Sequence, residues 1–253
     1  MNRVLHIIFW VIIAAGISVL VSFIEAKHKQ TTCTSFDISI EYDDDDPLIS
    51  VDEIRQIIYD SFDTLIGKKL IDIDPVQIEN MVNEIDFVAN ADVYTSITGK
   101  MNISVTQRKP IVRIVNNANQ SFYIDKTGEA VPTNKGFPSR VLITNGFIDI
   151  NYSDTLSIFN NSKLAEIYRL ATYIQNDPLL KIQIEQIYVT KNREYEFVPK
   201  VGRHIIIFGG IENMNEKFKK LLVFYHQGIN NAGWNTYKSI NLKFENQVVC
   251  SKR

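Results

Sequence analysis

The side chains able to do chemistry are few and scattered along the chain. Four histidines occur, and His6, His28, His204 and His226 fall in an apolar run, just beyond it, in a strand-like stretch and late in a helical pattern. None has a second imidazole, thiol or carboxylate at the spacing of a metal site. The two cysteines, Cys33 and Cys250, stand at opposite ends of the polar part of the chain. An oxidising compartment would permit a disulfide, but a lone pair so placed reads as two unpaired thiols. There is no nucleophile elbow and no phosphate loop ending in Gly-Lys. Gly209-Gly210 precedes a helical pattern without a neighbouring Lys, Ser or Thr, so it reads as a turn. Asp125 and Glu129 flank another turn and Asp149 follows in a strand-like stretch; nothing in their placement calls for an acid–base pair. The four acids Asp43 to Asp46, stopped by Pro47, lack the spaced pattern and distal Glu of a calcium loop and read as a solvated segment. This inventory favours holding another molecule over transforming one.

Composition narrows the partners. The net charge of −2 and the absence of a basic stripe set nucleic acid aside. Val4 to Ile24 contains no Asp, Glu, Lys or Arg. As a helix this run would reach about 31 Å, enough for a hydrocarbon core about 30 Å thick. It exceeds the apolar region of a secretory signal, and its end offers only Ala26 as a small residue, so an uncleaved anchor is expected. Arg3 on one side and Lys27 and Lys29 on the other leave orientation undecided by charge. The short leading tail favours export of the bulk.

The rest of the chain must supply the positioning elements. Phe36 to Ile40 alternates as a strand does. Ser50-Val51-Asp52-Glu53 forms a capping box, followed by Ile54, Ile57, Ile58 and Phe62 on one helical face. Asp74-Pro75 opens a second helix with the stripe Ile78, Met81, Val82 and Ile85. Strands are expected over Ala89–Ile97 and Met101–Gln107, turned by Thr98-Gly99-Lys100. Two helices on a three-stranded sheet make a sufficient core. Farther on, short strands are expected at Ile111–Val115, Ser121–Asp125 and Ala130–Val131. A helix over Ser162–Gln175 ends at Asp177-Pro178. A meander follows over Ile182–Thr190, Tyr195–Val198 and His204–Phe208. A helix from Asn213 buries Phe218, Leu221, Leu222 and Tyr225, with Gly228 at its end, and a last strand covers Ser239–Val249.

Several motifs in this order carry a resemblance. Ile103-Ser104-Val105-Thr106-Gln107-Arg108-Lys109-Pro110-Ile111-Val112 resembles the strand by which a POTRA domain is left, with Gln107 in place of the usual Glu. Gly67 to Asp74 is similar to the lead into that domain's second helix, and Phe122 to Ala130 to a characteristic hairpin. Lys217 to Leu222 with Ile240 to Val248 is similar to a closing helix and strand, with Asn241 where Asp is frequent. Together they resemble the FtsQ/DivIB family of bitopic bacterial cell-division proteins. The implied fold is α+β: a tail over 1–3, a single transmembrane helix over 4–24, a POTRA-like domain (strand-helix-helix-strand-strand) over 33–110, and a larger β domain with two helices over 111–253. The resemblance implies no enzyme and no cofactor. It implies a scaffold in the inner membrane, with its bulk in the periplasm at the division septum, holding FtsB-like and FtsL-like proteins.

Such a scaffold would offer its terminal sheet edge to a partner strand, with affinity from the backbone and specificity from alternate side chains. The candidate docking edge is Tyr237 to Val248, and its candidate residues are Tyr237, Ile240, Leu242, Lys243, Phe244, Asn246 and Val248. Ile240, Leu242 and Phe244 either pack inward or touch the partner. The second helix and the Val93–Ile97 strand are candidates for further divisome partners. Two other readings stand beside this one. A transport or assembly factor would bind extended client segments, although one POTRA-like unit without barrel strands argues against it. A periplasmic enzyme would need carboxylates gathered in a deep pocket.

Overall fold

The capping box read in the sequence closes the first helix turn as expected: the Ser50 hydroxyl accepts from the Glu53 amide at 3.1 Å, and the Glu53 carboxylate accepts from the Ser50 amide at 2.8 Å. These positions belong to a computed structural model that describes residues 9–19, 31–42, 47–62, 64–229 and 233–253. The chain divides into two compact units, Met1–Gln107 and Arg108–Arg253.

In the first unit, β1 (Ser35–Glu41) is followed by α1 (Val51–Phe62), a 3-10 turn (Leu70–Asp72), α2 (Pro75–Asn83), β2 (Val88–Thr95) and β3 (Lys100–Gln107). Asp74 caps α2 by accepting from the Val76 amide at 3.0 Å, and Pro75 sits where the missing amide costs nothing. The sheet order is β1-β3-β2, with β1 parallel and β2 antiparallel to β3. Met101, Ile103 and Val105 of the central strand are fully buried against Ile54, Ile58, Ile78 and Val82 of the two helices. Gly99 has φ +88°, and a Cβ there would overlap the Thr32 carbonyl, so the β2–β3 turn requires glycine. Gln107 is buried and its side-chain oxygen accepts from the Leu48 amide at 2.6 Å. A neutral amide therefore serves at this position of the motif.

Of the apolar run Val4–Ile24, residues 9–19 are helical, and the remainder lies outside the described residues. Among the described residues, no helix is long and apolar enough to cross a membrane. The tail over 1–3 and the acidic run Asp43–Asp46 also lie outside them.

The second unit is built on a nine-stranded sheet. In chain order it comprises β4 (Pro110–Val115), β5 (Ser121–Asp125), β6 (Ala130–Pro132), β7 (Leu142–Gly146), α3 (Ser162–Asn176), α4 (Pro178–Gln183), β8 (Ile184–Val189), β9 (Tyr195–Pro199), β10 (Ile205–Gly209), α5 (Met214–Val223), a π-helical turn (Phe224–Ile229), β11 (Tyr237–Asn241) and β12 (Val249–Lys252). The spatial order is β12-β11-β10-β9-β8-β7-β4-β5-β6. Leu164, Ile167, Leu170, Ala171 and Ile174 of α3 share one core with Phe197, Phe208 and Phe218. Phe218 stacks on Tyr173 with ring centroids 4.2 Å apart, which joins α5 to α3.

Four features depart from the sequence reading. Asp177-Pro178 ends α3, but the Asp177 carboxylate also accepts from the Leu179 and Leu180 amides and starts the short helix α4, so this unit has three helices rather than two. Strand β7 was not anticipated, and it joins the two halves of the sheet by parallel pairing with β4 and β8. The single strand expected over Ser239–Val249 is two short strands, β11 and β12, joined by residues 242–248. Gly228 does not end α5, because the chain continues through the π-helical turn.

Candidate functional site

The break between β11 and β12 is built from three local devices. The Asn241 side chain accepts from the Lys243 amide at 3.0 Å and turns the chain out of the strand. Lys220, reaching from α5, donates to the Leu242 carbonyl at 2.8 Å and the Phe244 carbonyl at 2.5 Å. Asn246 adopts φ +55°, a left-handed conformation that Asn tolerates better than most residues. The chain then returns antiparallel, pairing Asn241 with Val249, Ile240 with Cys250 and Ser239 with Ser251.

This arrangement sorts the residues singled out in the sequence. Ile240 and Leu242 are fully buried in the core of the second unit. Tyr237 is half-buried, its ring 5.8 Å from that of Phe224. Lys243, Phe244 and Asn246 are exposed on the connection and Val248 is half-buried; Phe244 retains 46% exposure. Lys243 is held by Glu194 at 2.7 Å. The expected edge itself moves. β11 lies between β10 and β12, so its backbone is paired on both sides, and the outermost strand is β12.

The backbone of β12 alternates. The Arg253 amide donates to the Thr236 carbonyl, and Val249 and Ser251 have the same parity, so their polar groups also face β11. Cys250 and Lys252 consequently direct theirs away from the sheet. Among the described residues, no strand lies on that side. Beside this edge a groove of about 690 Å³ runs between α5, the π-helical turn and the connection. Val223, Phe224, Gly228 and Val248 give it apolar walls, while Glu216, Lys219 and Lys220 bring charge. Lys217, one turn away, is directed inward: it donates to the Gly210 carbonyl at 2.9 Å, and burial pushes its ammonium below the ordinary value. An open strand edge next to a half-apolar groove can take an extended segment followed by a bulkier one.

The residues weighed for chemistry are engaged otherwise. A Cβ on Gly210 would overlap the Glu212 carboxylate, so an acid occupies the place where an anion would sit. Asp125 and Glu129 share the Arg108 guanidinium at 2.8 and 2.7 Å. His204 is buried, with Nε2 3.2 Å from the Tyr225 hydroxyl, and burial holds its imidazole below its ordinary value. Both cysteines are free thiols, Cys33 buried and Cys250 half-buried. Among the described residues, no group of three or more His, Cys, Asp and Glu side chains gathers in a metal-binding arrangement.

Sequence reasoning missed β12 and the α5 side of the groove. One signal for the hairpin was present: Asn246, within Glu245-Asn246-Gln247, is the residue type that turns a strand back. The groove had no comparable signal, because its lining comes from two segments distant in sequence.

Comparison with known families gives two matches. A family model described as FtsQ/DivIB, C-terminal related, matches residues 109–251. A POTRA-like domain model matches residues 31–106. No curated protein matches the chain.

Proposed function

Because this chain belongs to the FtsQ/DivIB family of cell-division proteins, we propose that it is a scaffold of the divisome that holds FtsB-like and FtsL-like partners on the outer edge of β12. The observation that carries this reading is the outer side of β12, which no described strand pairs, beside the groove lined by Val223, Phe224, Gly228 and Val248. A partner segment adding to β12 would take its affinity from the backbone groups of Cys250 and Lys252 and its selectivity from neighbouring side chains. Lys243, Phe244, Asn246 and Val248 would touch the partner, whereas Ile240, Leu242 and Tyr237 would hold the hairpin from within. An interface of this kind buries about 1,200 Å² or less, which suits micromolar affinity in isolation. Membrane tethering would raise the effective concentration of such partners. The apolar run Val4–Ile24 supports a single-span anchor in the inner membrane, with the bulk of the chain in the periplasm at the septum.

The test is titration of residues 33–253 with the extracytoplasmic segments of the same organism's FtsB-like and FtsL-like proteins. Wild type, Lys252→Pro and Phe244→Ala are compared, each with a melting curve. Proline at Lys252 removes an outward amide and leaves the β11–β12 bonds in place. Binding should weaken at least tenfold in Lys252→Pro, and less in Phe244→Ala, at unchanged melting. Equal binding by all three proteins would overturn the edge assignment, and absence of binding at high micromolar concentration would overturn the partner assignment.

A further inference from the structure

The first unit carries two sheet edges, and they are not equivalent. The outer side of β2 is closed by its own helix. The Ala91 amide donates to the Asn83 side-chain oxygen at 2.8 Å, and the Val93 amide donates to the Glu79 carboxylate at 3.2 Å. Asn83 and Glu79 stand four residues apart on α2, so one helix face satisfies two successive outward donors of the strand. An edge treated in this way cannot template another strand. Within the Val93–Ile97 segment, a partner candidate in the sequence, the outward Val93 amide is therefore already taken, and the strand ends at Thr95.

The edge of β1 is different. The Thr34 amide donates to the Gly99 carbonyl, toward β3, while the Cys33 amide and carbonyl face the other way and pair with Lys68 and Gly67. Strand parity carries this alternation forward: Phe36, Ile38 and Ile40 bond to β3, and Asp37, Ser39 and Glu41 turn their amides and carbonyls outward. No described hydrogen bond takes those outward groups, and β1 is the last strand of its sheet. Past Cys33, where the loop at Gly67–Lys68 stops, no described residue pairs with the second half of the edge.

Its side chains specify what fits. On one face Phe36, Ile38 and Ile40 extend the core to the edge, and Tyr59 of α1 stands edge-on to Phe36 with ring centroids 5.5 Å apart. On the other face Asp37, Ser39 and Glu41 are exposed, and the acids Asp43 to Asp46 follow directly in the sequence. Lys100 is the only cation described against this row, paired with Asp37.

We propose that the outer edge of β1 is a second docking site, which takes an extended segment alternating apolar and basic residues. The apolar positions continue the row of Ile38 and Ile40 beside Tyr59. The basic positions lie against Asp37 and Glu41, and three outward residues offer three donors and three acceptors to the incoming backbone. This site lies on the POTRA-like unit and does not depend on the β12 reading.

The probe is the peptide Lys-Val-Lys-Val-Lys-Val-Lys, with Glu-Val-Glu-Val-Glu-Val-Glu as its control. The full chain in a lipid nanodisc is titrated, and backbone amide exchange is read with and without peptide. The basic peptide should bind saturably, slow exchange at Asp37, Ser39 and Glu41, and leave β2 and β12 unchanged. Ser39→Pro deletes an outward amide without touching a β1–β3 bond, and should weaken binding at least tenfold at the same melting temperature. Glu41→Lys keeps the backbone intact and should weaken the basic peptide several-fold, so the proposal remains testable if the proline variant fails to fold. It is overturned by equal binding of the two peptides, by protection on β2 or β12 instead, by no binding, or by self-association of the chain through β1 that Ser39→Pro abolishes.

Discussion

His204 shows how a single side chain links burial to pH. Its imidazole is buried beside Tyr225 and Trp234, and burial lowers its pKa below the ordinary value of about 6.5. The unfolded chain therefore binds a proton more readily than the folded one once the pH falls below about 6.5. The stability contributed by the neutral ring is complete above that point and is lost as the pH drops through it toward the folded-state value. The melting temperature of wild type should fall between pH 7 and pH 5 by several degrees more than that of His204→Gln. Parallel curves for the two proteins would show that the folded chain protonates His204 as readily as the unfolded one and would overturn the effect of burial. Nothing in the sequence around Arg203-His204-Ile205 announced this, because the partners Tyr225 and Trp234 come from later segments.

At the scale of elements, Lys220 couples α5 to the connection between β11 and β12 through two carbonyls. Lys220→Met keeps the aliphatic stem but removes both bonds. It should cost about 2 kcal/mol, given that each net hydrogen bond is worth about 1 kcal/mol. Amide exchange over residues 242–248 should accelerate at least fivefold while that of α3 is unchanged; uniform acceleration would mean that Lys220 supports the whole core instead. The helices and most strands were legible in the sequence because cap and periodicity agree locally, as at Ser50–Glu53 and Asp74–Pro75. The hidden elements lacked such agreement. β7 is five residues long and reads as a brief apolar run, recognisable only once β4 and β8 flank it. β11 and β12 together alternate like one strand, and the break after Asn241 depends on Lys220, far upstream in the sequence. For the same reason the outermost strand is not legible in the sequence: the segment Tyr237 to Val248 takes in Lys243, Phe244 and Asn246 of the connection but stops short of Cys250 and Lys252 on β12.

At the scale of the whole molecule, two separate cores predict separable energetics. Ile78 is fully buried in the first unit and Leu170 in the second. Replacing either by Ala should cost about 2–5 kcal/mol. Exchange protection should fall throughout the altered unit and persist in the other. Loss of protection in both units from either substitution would show one cooperative body.

The far end of the large sheet gives the near end its meaning. β6 is three residues long and finishes on Pro132, and the Ala130 amide is taken by the Leu156 carbonyl while Glu129 bridges Ser157. That end is shut. A sheet with two open ends could pass growth from molecule to molecule and polymerise. With that end shut, strand addition at this sheet stops after one strand, so under the proposed docking each copy would hold a single guest there and chains would not build up into fibres through it.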